Sequence, residues 1–180
     1  MIFMKKLIKD ISSLIQEMSK EFKSRHLSLV TAESCTGGGL AYFISKEPSC
    51  SSILERGYVT YSNQAKESVL EVSPDRLQIC GAVSKEVAQQ MALGALNAST
   101  AQIAIATSGI AGEDYNPPRQ KGLLWVSCAG INKKPMVKDF YLPGAREKFT
   151  HCAILTALKL LHQFIKETDR DDANQLLFYL

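Results

Sequence analysis

What this chain lacks narrows it quickly. Its five cysteines, Cys35, Cys50, Cys80, Cys128 and Cys152, are odd in number, scattered and never spaced as C-x-x-C. That usage argues against both a disulfide framework and a zinc site, and it fits a reducing cytoplasm. No apolar run is long enough and free enough of charge to span a membrane. Lys9 and Asp10 interrupt the stretch that follows Lys5 and Lys6, which also argues against a signal peptide. An excess of one charge is missing too: 21 basic and 18 acidic residues give a net charge of +3, too mild and too evenly spread for a nucleic-acid footprint. Small anionic ligands are compatible with it. Histidine is scarce. His26 precedes a strand-like run, and His151 and His162 fall in what reads as the last helix, so a Ser-His-Asp triad is not expected and no role is assigned to the three. Repeats, low-complexity tracts and an N-terminal Gly-rich dinucleotide fingerprint are all absent.

What is present is enough for one well-buried core: 180 residues, 46% of them hydrophobic, in the usual size range of a single domain. Leu7, Ile8, Ile11, Leu14, Ile15, Met18 and Phe22 recur at helical steps, which predicts an amphipathic helix ending near Arg25. Leu27 to Ala32 reads as a buried strand and Gly39 to Ser45 as a short helix. Gly57 to Tyr61 reads as a second strand, followed by a helix that Asn63 could cap and that runs through Leu70. Ser84 is the expected N-cap of a helix to about Asn97, and Ile103 to Ser108 a third strand. The segment 113–121, with Asn116, Pro117 and Pro118, reads as a surface loop that could act as a lid. Gly122 to Ala129 and Met136 to Leu142 form a hairpin-like pair, and Ala145 to about Glu167 a closing helix, with 168–180 as a tail. This alternation predicts an α/β fold with a mixed, mostly parallel sheet covered on both faces, and ligands gathering beyond the strand carboxyl ends.

The most informative stretch is Val30-Thr31-Ala32-Glu33-Ser34-Cys35-Thr36-Gly37-Gly38-Gly39, an apolar strand ending in a hydroxyl, a thiol, a second hydroxyl and three glycines. At a strand-to-helix turn the last strand residue stands at the sheet edge, while the first helical N–H groups are unpaired and carry positive partial charge. Glycines there would let a substrate approach bare backbone. The plainer reading is a tight turn and nothing more. A nucleophilic Ser34 needs a base, and the candidates near a strand end are Tyr61 and Lys66. A partly desolvated amine beside a phenol could take the serine proton through either group. Taken alone, ordinary burial statistics favour Tyr61 as a packing residue and Lys66 as a solvated helix charge.

Four ordered segments alter that balance. Ala32-Glu33-Ser34-Cys35-Thr36-Gly37-Gly38, Glu55 to Asn63 with Lys66, Gly81-Ala82-Val83-Ser84, and Ser108-Gly109-Ile110-Ala111-Gly112 together closely resemble the CinA C-terminal domain family, over about residues 5–165. The resemblance implies a three-layer α/β/α fold. It also implies hydrolysis of nicotinamide mononucleotide to nicotinate mononucleotide and ammonia, in pyridine-nucleotide salvage, without metal or other cofactor. Position by position it assigns the nucleophile to Ser34 and its activation to Tyr61 and Lys66. Thr36, Gly37 and Gly38 are then expected to hold the oxyanion, and Ser108 and Gly109 to contact the substrate. Pro143-Gly144-Ala145-Arg146 resembles the family's Gly-x-Arg, so Arg146 is expected on the substrate phosphate. Glu33 would orient its neighbours or cap the turn. Relatives suggest a homodimer, and the chain is expected to be a stand-alone, cytoplasmic amidase whose partner is a small nucleotide, with no nucleic acid or membrane involved.

The chain departs from the family at 113–122, where a Pro-Asp and Gly-rich loop is replaced by Glu113-Asp114-Tyr115-Asn116-Pro117-Pro118-Arg119-Gln120-Lys121-Gly122. Substrate preference is more exposed to that change than the chemical step. Two rivals stand beside the serine reading. Cys35 could itself be the nucleophile if the helix terminus lowered its pKa. Alternatively, the fold could serve as a non-catalytic nucleotide-binding module.

Overall fold

The computed structural model describes residues 2–111, 121–142 and 144–177, with side chains as far as 167. The expected lid at 113–121 therefore lies outside the described residues, Lys121 excepted. Helix α1 (Ile2–Ser24) buries Leu7, Ile11, Ile15, Met18 and Phe22, the stripe that its periodicity predicts. Strand β1 (Leu29–Glu33) is buried at all positions and leads into helix α2 (Gly39–Lys46). A 3₁₀ turn at Pro48–Cys50 precedes strand β2 (Leu54–Val59), which starts three residues before the expected Gly57.

Helix α3 (Asn63–Leu70) is capped by Ser62, whose hydroxyl accepts the Ala65 N–H, so the cap stands one residue before the expected Asn63. Helix α4 (Pro74–Cys80) was not anticipated, although Ser73 caps it and Pro74 occupies its first turn, where a missing N–H costs nothing. Helix α5 (Lys85–Asn97) is capped by Ser84 as its sequence predicts. Strands β3 (Ile103–Gly109), β4 (Leu123–Gly130) and β5 (Lys133–Tyr141) follow. β5 starts before the expected Met136 and carries Pro135, which an edge strand accommodates next to a register irregularity. The backbone of helix α6 (Arg146–Leu177) continues past the expected end near Glu167.

One sheet orders the strands β2-β1-β3-β4-β5. β1 runs parallel to β2 and β3, while β4 is antiparallel to both of its neighbours. The carboxyl ends of β1, β2 and β3 consequently share one edge. Alternation along the strands sorts the core into two layers. Leu29, Ile103, Ile105, Leu124, Val126 and Cys128 pack with α1, α2 and α6. Val30, Ala32, Ala104, Ala106 and Ala129 pack with Val87, Met91, Ala92 and Ala95 of α5. This is the expected three-layer sandwich with a mixed sheet.

Alanines on both sides of the second layer let α5 approach closely, and Gly94 does the same toward α3. A Cβ placed on Gly94 would stand 1.9 Å from the carbonyl oxygen of Leu70. α3 carries Lys66, so this contact sets where that lysine stands. Replacing Gly94 by Ala is expected to destabilise the fold by about 1–3 kcal/mol through overpacking, read as a lowered thermal midpoint. Any activity that depends on Lys66 should fall with it.

Candidate functional site

Ser34 is the first residue beyond β1, and the strand ends on either side tether it. Its N–H donates to the carbonyl of Thr107 on β3 (3.0 Å), while the carbonyl of the preceding Glu33 accepts the Thr60 N–H beyond β2 (2.9 Å). The chain then reverses through Gly37 at φ 59° and Gly38 at φ 93°, backbone that residues with a Cβ rarely adopt. Both glycines are committed inside the turn. The Gly37 N–H donates to the Ser34 carbonyl at 3.1 Å, and the Gly38 N–H to the Glu33 carboxylate at 3.1 Å. The expectation that Gly37 and Gly38 supply oxyanion donors is corrected on this point. Among the described residues, neither the Thr36 N–H nor the Cys35 N–H donates to another residue.

Glu33 has no solvent-exposed surface. One carboxylate oxygen accepts the Thr31 hydroxyl (3.1 Å) and the Ala41 N–H (2.9 Å). The other accepts the Thr36 hydroxyl (2.7 Å) and the N–H groups of Gly38 (3.1 Å) and Leu40 (2.9 Å). The positive end of α2 is thereby satisfied from within the protein, as an internal carboxylate at a helix start allows. An approaching anion finds those donors already taken.

Lys66 projects from the second turn of α3 and is 1% exposed. Its Nζ stands 3.1 Å from Ser34 Oγ, 2.8 Å from the carbonyl oxygen of Thr60 and 3.2 Å from that of Tyr61. Burial lowers its pKa from the 10.5 of a solvated lysine. Carbonyl oxygens can only accept. In the neutral amine two hydrogens therefore go to Thr60 and Tyr61, and the lone pair is left facing the Ser34 hydroxyl.

Tyr61 contributes differently from the sequence-based expectation. Its carbonyl binds Lys66, but its ring is 64% exposed, and among the described residues its hydroxyl meets neither Ser34 nor Lys66. The hydroxyl instead lies 3.5 Å from Nη1 of the exposed Arg146, at the start of α6. Ser108 is buried and donates to the Ala82 carbonyl at 2.7 Å, tying the 81–84 loop to the end of β3. Gly109 has no room for a side chain: a Cβ there would meet the Leu123 carbonyl oxygen at 2.8 Å and Cys35 Sγ at 3.1 Å.

These groups border one open cleft of about 300 Å³, lined by Ser34, Cys35, Tyr61, Lys66, Ser108 and Arg146 together with apolar residues from the 82–83 and 109–111 segments. All three residues of the expected Ser34, Tyr61 and Lys66 set border it, as do Ser108, Gly109 and Arg146. Thr36 is buried behind it. The Thr60 carbonyl and the Thr107 main chain were not foreseen, because a strand-end carbonyl leaves no mark in residue type. Among the described residues, Glu17, Glu21 and His162 group at metal-ligand spacing. They lie between α1 and α6, outside this cleft, where Lys166 also pairs with both glutamates. Cys35, half-buried, is held as a thiol: burial pushes its pKa up to about 12.

A mixed α/β sheet whose parallel strand ends present a serine hydroxyl to a buried lysine amine defines a class of site able to activate an oxygen nucleophile. A model of the CinA C-terminal domain matches residues 11–165, and the chain belongs to that family. It is 35% identical over 161 residues, 88% of this chain and 98% of the relative, to the nicotinamide-nucleotide amidohydrolase PncC of Escherichia coli K12. A CinA-like protein of Syntrophotalea carbinolica is 39% identical over 140 residues, which are 77% of this chain but 34% of that longer protein. Among solved structures, the competence/damage inducible protein of Agrobacterium tumefaciens superposes with a TM-score of 0.82 at 34% identity, covering 86% of this chain and 94% of that one. An Escherichia coli CinA-superfamily protein gives 0.82 at 32% identity over 87% and 91%.

The protonated state of Cys35 has a direct chemical readout. In the folded protein at pH 7.5, iodoacetamide is expected to leave Cys35 unmodified while the same thiol reacts after denaturation, as followed by peptide mass mapping. Rapid alkylation of Cys35 in the native state would contradict the environment described.

Proposed function

We propose that the protein is an amidohydrolase that converts nicotinamide mononucleotide to nicotinate mononucleotide and ammonia through a Ser34 acyl-enzyme, as a step of pyridine-nucleotide salvage. The observation that carries this reading is the Lys66 amine, desolvated, held by two carbonyls and set 3.1 Å from Ser34 Oγ. The printed name of the Escherichia coli relative supports the choice of substrate.

In the first half-reaction the Lys66 lone pair takes the Ser34 proton as Oγ bonds to the carboxamide carbon. The resulting ammonium can donate simultaneously to Thr60, Tyr61 and the serine oxygen. The N–H groups of Thr36 and Cys35 are the donors left for the oxyanion. Lys66 then returns the proton to the departing nitrogen, the C–N bond breaks and ammonia leaves. Water attacks the acyl ester with the same amine as base, and the carboxylate product is released as Ser34 regains its proton. Arg146, with the Tyr61 hydroxyl beside it at the cleft mouth, binds the phosphate. No step calls for a metal. The thiol form of Cys35 weighs against the cysteine mechanism.

Purified protein incubated with nicotinamide mononucleotide and a chelator is expected to form nicotinate mononucleotide and ammonia. Ser34→Ala should abolish turnover, whereas Cys35→Ala should retain it; the reverse pattern would overturn the serine mechanism. Lys66→Arg keeps donors but cannot shed a proton, and is expected to lose about 10²–10⁴-fold in kcat. Because the neutral amine is the competent form and burial lowers its pKa, kcat/KM should rise with pH through an apparent pKa below 10.5. A rate that falls as pH rises through that limb would contradict Lys66 as base.

A further inference from the structure

We propose that Glu33 is a positioning residue for this reaction: its buried carboxylate holds the turn from Ser34 to Gly38 in the one arrangement that leaves the Thr36 and Cys35 N–H groups unengaged. The inference rests on Ser34 being the nucleophile. Alternation along β1 sends the Glu33 side chain to the α2 face, opposite in direction to that of Ser34, so it acts from behind the turn.

The hydrogen-bond directions follow from the carboxylate. It can only accept, so the Thr36 hydroxyl donates to it, and the Thr107 hydroxyl, 2.7 Å away, must donate to the Thr36 oxygen. Thr107 also holds the Ser34 N–H through its carbonyl. Both ends of the turn are thus fixed to one buried network, and the Gly38, Leu40 and Ala41 N–H groups are drawn to Glu33 rather than toward the cleft. Each carboxylate oxygen receives at least one main-chain N–H. A glutamine of nearly the same volume must therefore turn its NH₂ group toward a donor whichever way it sits, and the turn has to give.

The test compares wild type with Glu33→Gln, measuring kcat and KM for nicotinamide mononucleotide across pH and the rate at which a fluorophosphonate labels Ser34. A fluorophosphonate reports on the oxyanion donors without the natural substrate, since serine attack at phosphorus expels fluoride through a charged phosphoryl oxygen. The expected result is a kcat at least about tenfold lower, a KM changed less than about threefold, and labelling slowed in parallel. The low-pH limb of the profile should stay in place, because the partners of Lys66 are untouched. If Glu33→Gln does not fold, Thr36→Val, which removes the hydroxyl's bonds to Glu33 and Thr107 and keeps the carboxylate, should lower kcat in the same sense, with Thr36→Ser restoring it. A folded Glu33→Gln with wild-type kcat and labelling overturns the inference alone, as does a loss accompanied by a displaced pH limb. Wild-type protein that neither turns over nor is labelled at Ser34 overturns the serine reading and this inference together.

Discussion

The site depends on one costly arrangement, an amine taken almost wholly out of water. A buried ammonium without compensation is strongly disfavoured, and a lysine in such a place responds by giving up its proton more readily. Three oxygens hold Lys66 in both of its protonation states, two of them main-chain carbonyls that cannot move independently of β2 and α3. The fold therefore makes the charged form of the lysine harder to keep and fixes the direction in which its amine faces Ser34. Much of the surrounding architecture follows from that need. The Ser62 cap starts α3 where Lys66 turns inward, and the Gly94 contact brings α3 down onto α5.

The second constraint is the tightness of the turn after β1. Two consecutive residues at positive φ and a carboxylate under the helix leave little freedom in residues 34–38. Preorganisation of this kind shortens the list of groups that must reorganise as charge develops. Cys35 belongs to the same economy of space: its sulfur sits against Gly109, and its thiol is kept protonated by the burial that comes with that position.

Element types were legible in the sequence because their signals are local. The α1 stripe, the Ser84 cap and the apolar runs of β1 and β3 needed no tertiary information. α4 was missed because seven residues give too little periodicity, although Ser73-Pro74 marks its start. The start of β5 ahead of Met136 is not legible in the sequence, since a proline such as Pro135 fits a strand only where the strand lies at a sheet edge. Ser34, Tyr61 and Lys66 emerged as a set only through the family resemblance. Burial statistics alone favoured a solvated lysine, and in the folded chain that lysine is among the most deeply buried side chains. The phenol of Tyr61 shows the converse: an aromatic at a strand end contributes its backbone to the lysine and leaves its ring outside. The use of Glu33 and of the Thr60 and Thr107 main chain could not be read, since hydrogen-bond direction exists only once strands are paired.

The internal capping of α2 divides the cleft electrostatically. A buried carboxylate paired with main-chain amides is reached by few mobile ions, while the exposed Arg146 at the rim is open to salt, which screens charges over about 8–10 Å at physiological ionic strength. Ionic strength would then act on how an anionic ligand arrives and lodges, and barely on the interior where bonds are exchanged.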